Sequence, residues 1–290
     1  MNEIPGSDAG GRPSAAESRR LLAALAGAYA GRTLLVVSCG PSAALWRGVL
    51  SRLGGDAVIA CVKQAIFLCR RRAAIHLFNP YNAQRYWPHN RRALRVDVRD
   101  HFAPRTFNAS DLAFTLDPTT TGDLARSVAS TGRFEDHTMA RTGLVRPWGP
   151  GIMYDVVFYL ASHLGFRSVH TVGWDAVALP VSTSDGPRPL SHFYDRPGRP
   201  VAPVQTFEWI GREPRAYRRS TLARHLLGAL YNRVPKADVQ GEVAAIVRSL
   251  PRLFDWLASE GMSLTIHSRL EGNPVDPSIR PHVVDWSGRA

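Results

Sequence analysis

The stretch from Gly149 to Asp175 constrains the fold most tightly, because it has the pattern of a loop, a helix and a strand in direct succession. Its opening Gly-Pro-Gly loop, ending at Gly151, allows backbone N–H groups to approach a ligand closely. An anionic ligand suits the positive end of the helix that follows. The apolar run over residues 152–164 predicts a helix that packs on a sheet, with Gly165 as its C-terminal stop.

The strand after this helix ends in polar residues. Ser168–Val172 has the pattern of a buried β-strand and is followed by Gly173 and Asp175. Open α/β sheets bind their ligands at the carboxyl ends of the strands. We therefore expect Asp175 to line a nucleotide site. The alternative is a helix–strand unit that is packed only for stability.

Three earlier strands also end in polar residues. The apolar runs 33–38, 57–62 and 74–78 predict strands that are covered on both faces, as in a parallel sheet. The residues that follow them are Gly40, Pro41, Ser42, Lys63, Gln64, Asn79 and Pro80. These strand ends predict a crevice in which the Gly-Pro-Ser turn is a candidate phosphate contact, although any α/β fold offers part of this arrangement by topology alone. Ser42 is also expected to cap a helix over residues 43–53.

The remaining elements are less strongly patterned. Ser14 and Glu17 form a predicted capping box ahead of a helix over Arg19–Tyr29. Further predicted elements are a short strand at 111–116, helices at 216–230 and 239–260, and a last strand at 262–267. The pattern is weak from residue 87 to residue 146.

This order of elements predicts an α/β fold with a Rossmann-like, mainly parallel sheet and helices on both faces. A long lid-like insertion and a C-terminal helix–strand unit are added to it. The predicted organisation is a disordered tail over residues 1–13 and a single catalytic domain over residues 14–290. The expected parts of that domain are a nucleotide-binding core at 32–175, a lid and acceptor region at 176–235, and a C-terminal helix, strand and tail at 236–290.

The lid-like segment contains a candidate general base. Residues 177–214 are rich in proline, glycine and serine and are longer than an ordinary connection, which is typical of a binding segment. Within them, His192 lies close to Tyr194 and Asp195. A histidine beside a carboxylate suits general-base chemistry near neutral pH. The alternative is a histidine packed within the loop.

The formal net charge of +12 is carried almost entirely by arginine, since Lys63 and Lys236 are the only lysines among 36 basic residues. Arginines gather at 70–72 and again between residues 188 and 224. One interpretation is a solvated face that reflects base composition. The other is an anionic partner, whether an acidic acceptor, a lipid headgroup or a phosphate.

Composition also bounds the location of the chain. No apolar run is long enough to cross a bilayer, and the N-terminus lacks the apolar segment of a secretory signal. A cytoplasmic protein is expected, with peripheral binding at the inner face of the membrane as an extension. Cys39, Cys61 and Cys69 have no metal-type spacing and are expected to be reduced packing thiols.

Several common catalytic motifs are missing from the sequence. It contains neither a Walker-type G-x-x-x-x-G-K nor a G-x-G-x-x-G turn after the first strand, which disfavours P-loop kinases and conventional dinucleotide binding. There is also no G-x-S-x-G, no H-E-x-x-H and no Asp-x-Asp metal motif. If the chain transfers sugars, it is expected to do so without a metal, so that basic or backbone donors stabilise the departing phosphate.

Taken in order, these motifs resemble one family. The chain resembles the sialyltransferase-like superfamily of bacterial glycosyltransferases in the order of six motifs. They are the Cys39-Gly40-Pro41-Ser42 turn, the strand ending in Lys63-Gln64, Phe78-Asn79-Pro80, the loop at Gly151, Gly173-Trp174-Asp175 and His192-Phe193. That group has a Rossmann-like fold of the GT-A-variant type. The likeness extends to motility accessory factor flagellin glycosyltransferases and to 6-hydroxymethylpterin diphosphokinase-like domains. It covers residues 33 to 195.

The resemblance implies a set of site residues. Those implied to contact a CMP-activated acidic sugar are Gly40, Pro41, Ser42, Lys63, Gln64, Asn79, Gly149, Gly151, Asp175 and Tyr194. His192 is implied as the general base. Cys39 and Lys63 stand where the family has asparagines, and the tyrosines that meet the phosphate have Ala176 and Val177 in their place, with Tyr194 as a substitute.

The resulting prediction is an inverting, metal-independent glycosyltransferase without a bound cofactor, which uses a CMP-linked acidic sugar of the sialic acid or Kdo type. A glycan, a glycolipid or a protein hydroxyl is the expected acceptor, and homo-oligomer formation is open. The enzyme alternative is a hydroxymethylpterin-type diphosphokinase that needs ATP and Mg²⁺. The non-enzymatic alternative is an arginine-rich nucleic-acid-binding module.

Overall fold

A computed structural model covers the 290-residue chain. It describes residues 13–54, 57–78, 86, 89–99, 110–117, 144–147, 156–175, 182–183, 186–187, 239–270, 272 and 274–288. The predicted helix at 216–230 and most of the predicted lid lie outside these residues.

The described residues form one large parallel sheet. Its strands are β1 (Thr33–Val37), β2 (Val58–Val62), β3 (Ile75–Phe78), β4 (Leu94–Arg99), β5 (Leu112–Asp117), β6 (Val145–Pro147), β7 (Ser168–Val172), β10 (Ser263–Ser268) and β11 (Val283–Asp285). The pairings between these nine strands are parallel. Two-residue strands β8 (Ser182–Thr183) and β9 (Gly186–Pro187) form a separate antiparallel pair. The predicted α/β, Rossmann-like fold class is confirmed.

Helices cover both faces of the sheet. They are α1 (Ala15–Ala24), α2 (Trp46–Arg52), α3 (Ile66–Cys69), α4 (Phe158–His163) and α5 (Val239–Ser259). One apolar cluster joins α1, α4 and α5 to the sheet face that carries Leu34 and Val36. A second cluster joins α2 and α3 to the opposite face, which carries Leu35 and Val37. All four of these β1 side chains are buried, which explains why β1 is a continuous apolar run.

The first helix begins at the predicted capping box. The Ser14 backbone N–H donates to the Glu17 carboxylate at 2.7 Å, and the Glu17 N–H donates to the Ser14 hydroxyl oxygen at 3.2 Å. The helix ends at Ala24 rather than at the predicted Tyr29. Backbone groups beyond it bind the end of α4 instead, since the Gly27 N–H donates to the His163 carbonyl at 2.9 Å. Tertiary hydrogen bonds therefore replace the last predicted helical turn.

The strand order is β11-β10-β7-β1-β2-β3-β4-β5-β6. The chain moves outward from β1 to β6, returns to place β7 on the other side of β1, and then continues outward to β10 and β11. The order thus reverses between β1 and β7. In open α/β sheets this reversal opens a crevice at the carboxyl ends of the two strands, where ligands bind.

Three strands of the large sheet were not predicted. β4 (Leu94–Arg99) carries Arg95, Asp97 and Arg99, so charge hides its apolar alternation. The buried Arg95 guanidinium forms an ion pair with Asp111, just before β5. Strands β6 and β11 have three residues each and lie in stretches without a clear pattern. The strand predicted to be the last, observed as β10, is followed by β11 at the edge of the sheet.

In the part of the chain that the structure describes, no helix has both the length and the apolar character needed to cross a membrane.

Candidate functional site

The carboxyl ends of β1 and β7 are joined closely by their backbones. The Ser38 N–H donates to the Val172 carbonyl at 2.8 Å, and the Gly40 N–H donates to the Gly173 carbonyl at 2.7 Å. A Cβ at Gly40 would lie 2.7 Å from the Gly173 carbonyl oxygen. Glycine at position 40 is therefore required by the approach of the two strand ends.

The Asp175 carboxylate ties three strand ends together. Its Oδ2 accepts the Ser42 backbone N–H at 3.0 Å, and its Oδ1 accepts the Ser268 hydroxyl at 2.5 Å. Ser42 follows β1, Asp175 follows β7 and Ser268 is the last residue of β10. The site is thus assembled from segments that are far apart in the sequence. A carboxylate offers about four acceptor positions, and contacts with the described residues use two of those on Asp175.

Ser42 has a structural role that differs from the predicted helix cap. Residues Pro41–Leu45 form a 3-10 turn ahead of α2, with Gly40 at the N-cap and no side-chain cap. The buried Ser42 hydroxyl instead accepts the Gly173 N–H at 2.8 Å and donates to the His267 carbonyl at 3.4 Å. The prediction of a Ser42 cap on a regular helix from residue 43 was wrong, because this hydroxyl serves neighbouring strands. Pro41 is exposed at the start of the turn.

Lys63 and Gln64 follow β2 at the same edge. The Cys39 thiol donates to the Val62 carbonyl at 3.3 Å and to the Gln64 side-chain carbonyl at 3.6 Å, which brings the ends of β1 and β2 together. Burial raises the pKa of the Cys39 thiol, and the Lys63 ammonium opposes that rise. Lys63 itself has a left-handed backbone with φ of 51°. The positive charge of Lys63 is therefore felt at Cys39, one residue before Gly40.

His76 binds the turn at Lys63, and this role was not predicted. Its Nε2 lies 2.9 Å from the Lys63 carbonyl oxygen, so Nε2 carries the proton and donates. Its Nδ1 accepts from the Asn90 side-chain amide at 3.0 Å. Burial lowers the pKa of His76 to about 4, so the ring is neutral at pH 7. A lone histidine within the apolar strand β3 was the available signal.

Two imidazoles and an indole form a hydrogen-bonded chain beside the site. The Trp286 indole N–H donates to His267 Nδ1 at 3.1 Å, and His267 Nε2 lies 3.0 Å from His170 Nδ1. Because indole is only a donor, His267 Nδ1 must accept, so neutral His267 carries its proton on Nε2 and donates it to His170 Nδ1. Burial lowers the pKa of His267 to about 4, helped by His170 and Arg52. These residues were also missed, because they come together only through the sheet.

The structure brings together six of the predicted site residues. Gly40, Pro41, Ser42, Lys63, Gln64 and Asp175 lie at the carboxyl ends of β1, β2 and β7. The other predicted residues, Asn79, Gly149, Gly151, His192 and Tyr194, lie outside the described residues.

The three cysteines are free and buried, as predicted. Burial raises the pKa of Cys61 far above its usual value, which keeps that thiol protonated. Over the described residues, no group of three or more His, Cys, Asp and Glu side chains is arranged to hold a metal ion.

Comparisons of the chain with protein-family models, with curated proteins and with solved structures find no match.

Proposed function

We propose that this chain is a glycosyltransferase that takes its sugar from a nucleotide donor bound at the carboxyl ends of β1, β2 and β7. The observation that carries the proposal is the reversal of strand order between β1 and β7, which falls at Gly40 and Asp175. A ligand crevice is expected at this point in an open parallel sheet. The order of the motifs along the sequence supports a sugar nucleotide as the ligand.

The charges at the edge favour one orientation of the nucleotide. Asp175 is an acceptor and its negative charge repels phosphate, so it suits the hydroxyl donors of a ribose. The Ser42 N–H, which would otherwise suit a phosphate, is already bound to Asp175. Lys63 follows the neighbouring strand and is the cation placed to meet the phosphate. The ribose would therefore lie over β1 and β7, with the phosphate toward β2.

The proposed reaction is an inverting transfer. The acceptor hydroxyl oxygen forms a bond to the anomeric carbon while the bond from that carbon to the nucleotide phosphate breaks on the opposite face. His192 accepts the proton of the hydroxyl, and Lys63 stabilises the negative charge on the departing phosphate. The proposed donor is a CMP-linked acidic sugar, and the acceptor is a glycan, glycolipid or protein hydroxyl. No metal is assigned to this step.

Thermal unfolding in the presence of CMP, CDP, UDP, GDP and ATP tests the nucleotide site. A ligand at about 100 times its Kd adds about 2.7 kcal/mol to the unfolding free energy, which is a rise in Tm of about 5 °C for a chain of this size. We expect CMP to give the largest rise. Lys63→Ala should increase the CMP concentration needed for the same rise in Tm by at least about tenfold. Lys236→Ala, which removes the only other lysine, should leave that concentration unchanged.

The donor reaction is tested by release of CMP from CMP-linked acidic sugars, with and without EDTA. Release that survives EDTA and is lost in His192→Ala agrees with the proposal. A protein that responds only to ATP with Mg²⁺ would instead be the phosphotransferase. Absence of any nucleotide response, together with salt-dependent retention on RNA or DNA, would contradict an enzymatic role.

A further inference from the structure

The edge of the sheet opposite the candidate site, where the strands begin, carries a row of exposed arginines. They lie just before β1, β3, β4 and β7, and are Arg32, Arg70–Arg72, Arg91, Arg92 and Arg167. Four strand spacings of about 4.8 Å separate β7 from β4, so the row extends over about 19 Å. We refer to these residues as the arginine edge.

Few carboxylates balance this charge within the described residues. Asp111, before β5, is bound to Arg95, and Glu260, before β10, accepts the Ser162 hydroxyl at 2.6 Å. In the described part of the chain, Arg70–Arg72, Arg92 and Arg167 have no carboxylate partner. An arginine after a helix stabilises the negative end of its dipole, but that effect does not require three in succession after the short helix α3.

The backbone at Arg70 gives a second, independent indication. Arg70 has a φ of 44°, a left-handed conformation that glycine adopts freely and that an L side chain adopts only at a cost. Its Nε donates to the Phe67 carbonyl at 3.3 Å, which holds the guanidinium at the surface of α3. The chain therefore keeps an arginine at a position where glycine would fit with less strain.

We propose that the arginine edge binds the anionic surface of a lipid bilayer. Guanidinium groups form paired hydrogen bonds with phosphate oxygens, and a row of them along a sheet edge suits a flat layer of headgroups. Phe67 and Leu68 lie beside Arg70; both pack partly against the core, and their remaining exposed surface is apolar. Sequence-independent binding of single-stranded nucleic acid usually uses a basic groove instead.

Orientation follows from the topology. The candidate nucleotide site lies at the carboxyl ends of the strands and the arginine edge at their amino ends. A bilayer bound by this edge would leave the site facing away from the membrane. Binding to lipid therefore should not compete with binding of a nucleotide.

Sedimentation with vesicles tests the proposal in the full chain. Vesicles of phosphatidylcholine alone are compared with vesicles that also contain phosphatidylserine, at low salt. Each basic residue near an anionic surface adds about 1 kcal/mol, which is about fivefold in partition. The variant Arg70→Gln, Arg71→Gln, Arg72→Gln should therefore lower the partition about a hundredfold. The control variant Arg19→Gln, Arg20→Gln, Arg47→Gln removes the same charge from exposed positions outside the edge.

Binding of the wild type to the anionic vesicles, lost in the edge variant and kept within about threefold in the control, supports the proposal. Equal loss in both variants would show that only net charge matters and would overturn it. Failure of the wild type to bind anionic vesicles would also overturn it. If the wild type bound RNA but not vesicles, and the edge variant lost the binding to RNA, a nucleic acid rather than a lipid bilayer would be the partner. Circular dichroism of each variant checks that it is folded.

Discussion

The Asp175 carboxylate accepts the backbone N–H of Ser42 at 3.0 Å across 133 residues of sequence. This contact occupies, with a group of the protein itself, the position where the Gly-Pro-Ser turn would otherwise receive an external anion. The Ser42 N–H therefore has a structural role, and in our proposal Asp175 receives neutral hydroxyl donors at its other acceptor positions. The proposed orientation of the nucleotide depends on this relationship.

Replacement of Asp175 by asparagine should weaken both folding and ligand binding. The amide supplies one oxygen where the carboxylate supplies two, so its N–H₂ faces either the Ser42 N–H, which then has no acceptor, or the Ser268 hydroxyl, which must then accept instead of donate, and the charge-assisted bonds are lost in both cases. We expect the free energy of unfolding to fall by about 1–3 kcal/mol. Urea unfolding measures the change. Asp255→Asn, at an exposed position of α5, should change it by less than about 0.5 kcal/mol.

Gly173→Ala should destabilise the chain more than a left-handed backbone alone explains. Gly173 has a φ of 74°, and a Cβ there would lie 2.6 Å from the Ser38 carbonyl oxygen. Gly54 has a φ of 68° with no atom within 4 Å of its Cβ position, so Gly54→Ala measures the backbone term by itself. That control should cost about 1–2 kcal/mol. If the two substitutions lowered the free energy of unfolding equally, the close contact between the new Cβ and the Ser38 carbonyl would have no cost of its own, which would contradict this prediction.

The buried His76 should make the chain sensitive to mild acid. Its pKa is lowered to about 4 in the folded state by burial, against about 6.5 in the unfolded chain. The unfolded state therefore binds more protons between these values, and stability should fall as pH drops from 6.5 toward 4, by about 3 kcal/mol from this group. Unfolding free energies of wild type and His76→Gln at pH 7 and pH 4.5 give the difference.

Glutamine at position 76 keeps an N–H that can donate to the Lys63 carbonyl but does not titrate, so His76→Gln should lose part of the acid sensitivity. His282→Gln serves as the control, because His282 stacks on Phe254 at 3.8 Å near the surface. An acid response that is identical in wild type and His76→Gln would contradict the assignment.

Lys63→Gly should separate stability from binding. Glycine relieves the left-handed strain at φ 51°, so stability should hold or rise by up to about 1 kcal/mol. The same change removes the cation proposed to meet the phosphate, so the CMP-dependent rise in Tm should be lost. Arg70→Gly relieves a similar strain at φ 44° on the opposite edge and should keep the CMP response. Retention of that response in Lys63→Gly would remove Lys63 from the proposed site.

The sequence allows the central part of the sheet to be predicted, and the reason is physical. Strand β1 is buried on both faces, so an apolar run marks it, and Gly165 marks the end of α4 with a φ of 82°. Strand β7, Ser-Val-His-Thr-Val, is marked by its β-branched residues and by the glycine on each side of it, Gly165 and Gly173. Strand β4 was not predicted because charged residues interrupt its apolar alternation, and the charge of Arg95 is compensated by Asp111 from another segment. Local patterns do not record such long-range compensation.

The candidate site was also predictable only in part. That polar residues follow the strands was evident, and the sheet brings Gly40, Lys63 and Asp175 to one edge. The contacts of Asp175 were not predictable, because its partners Ser42 and Ser268 lie 133 and 93 residues away. His76 was equally hidden, since a histidine in an apolar strand has no visible partner until the Lys63 turn is folded above it.

The pairing of β1 with β7 also determines when these two strand ends can meet during synthesis. Thr33 aligns with Ser168, so the first strand waits on the ribosome for its neighbour until well over a hundred further residues have been made. Ser268 on the next strand emerges later still. Nascent chains stopped before Asp175 lack its carboxylate at this edge, and the contacts of Asp175 with both Ser42 and Ser268 form only after Ser268 has been made.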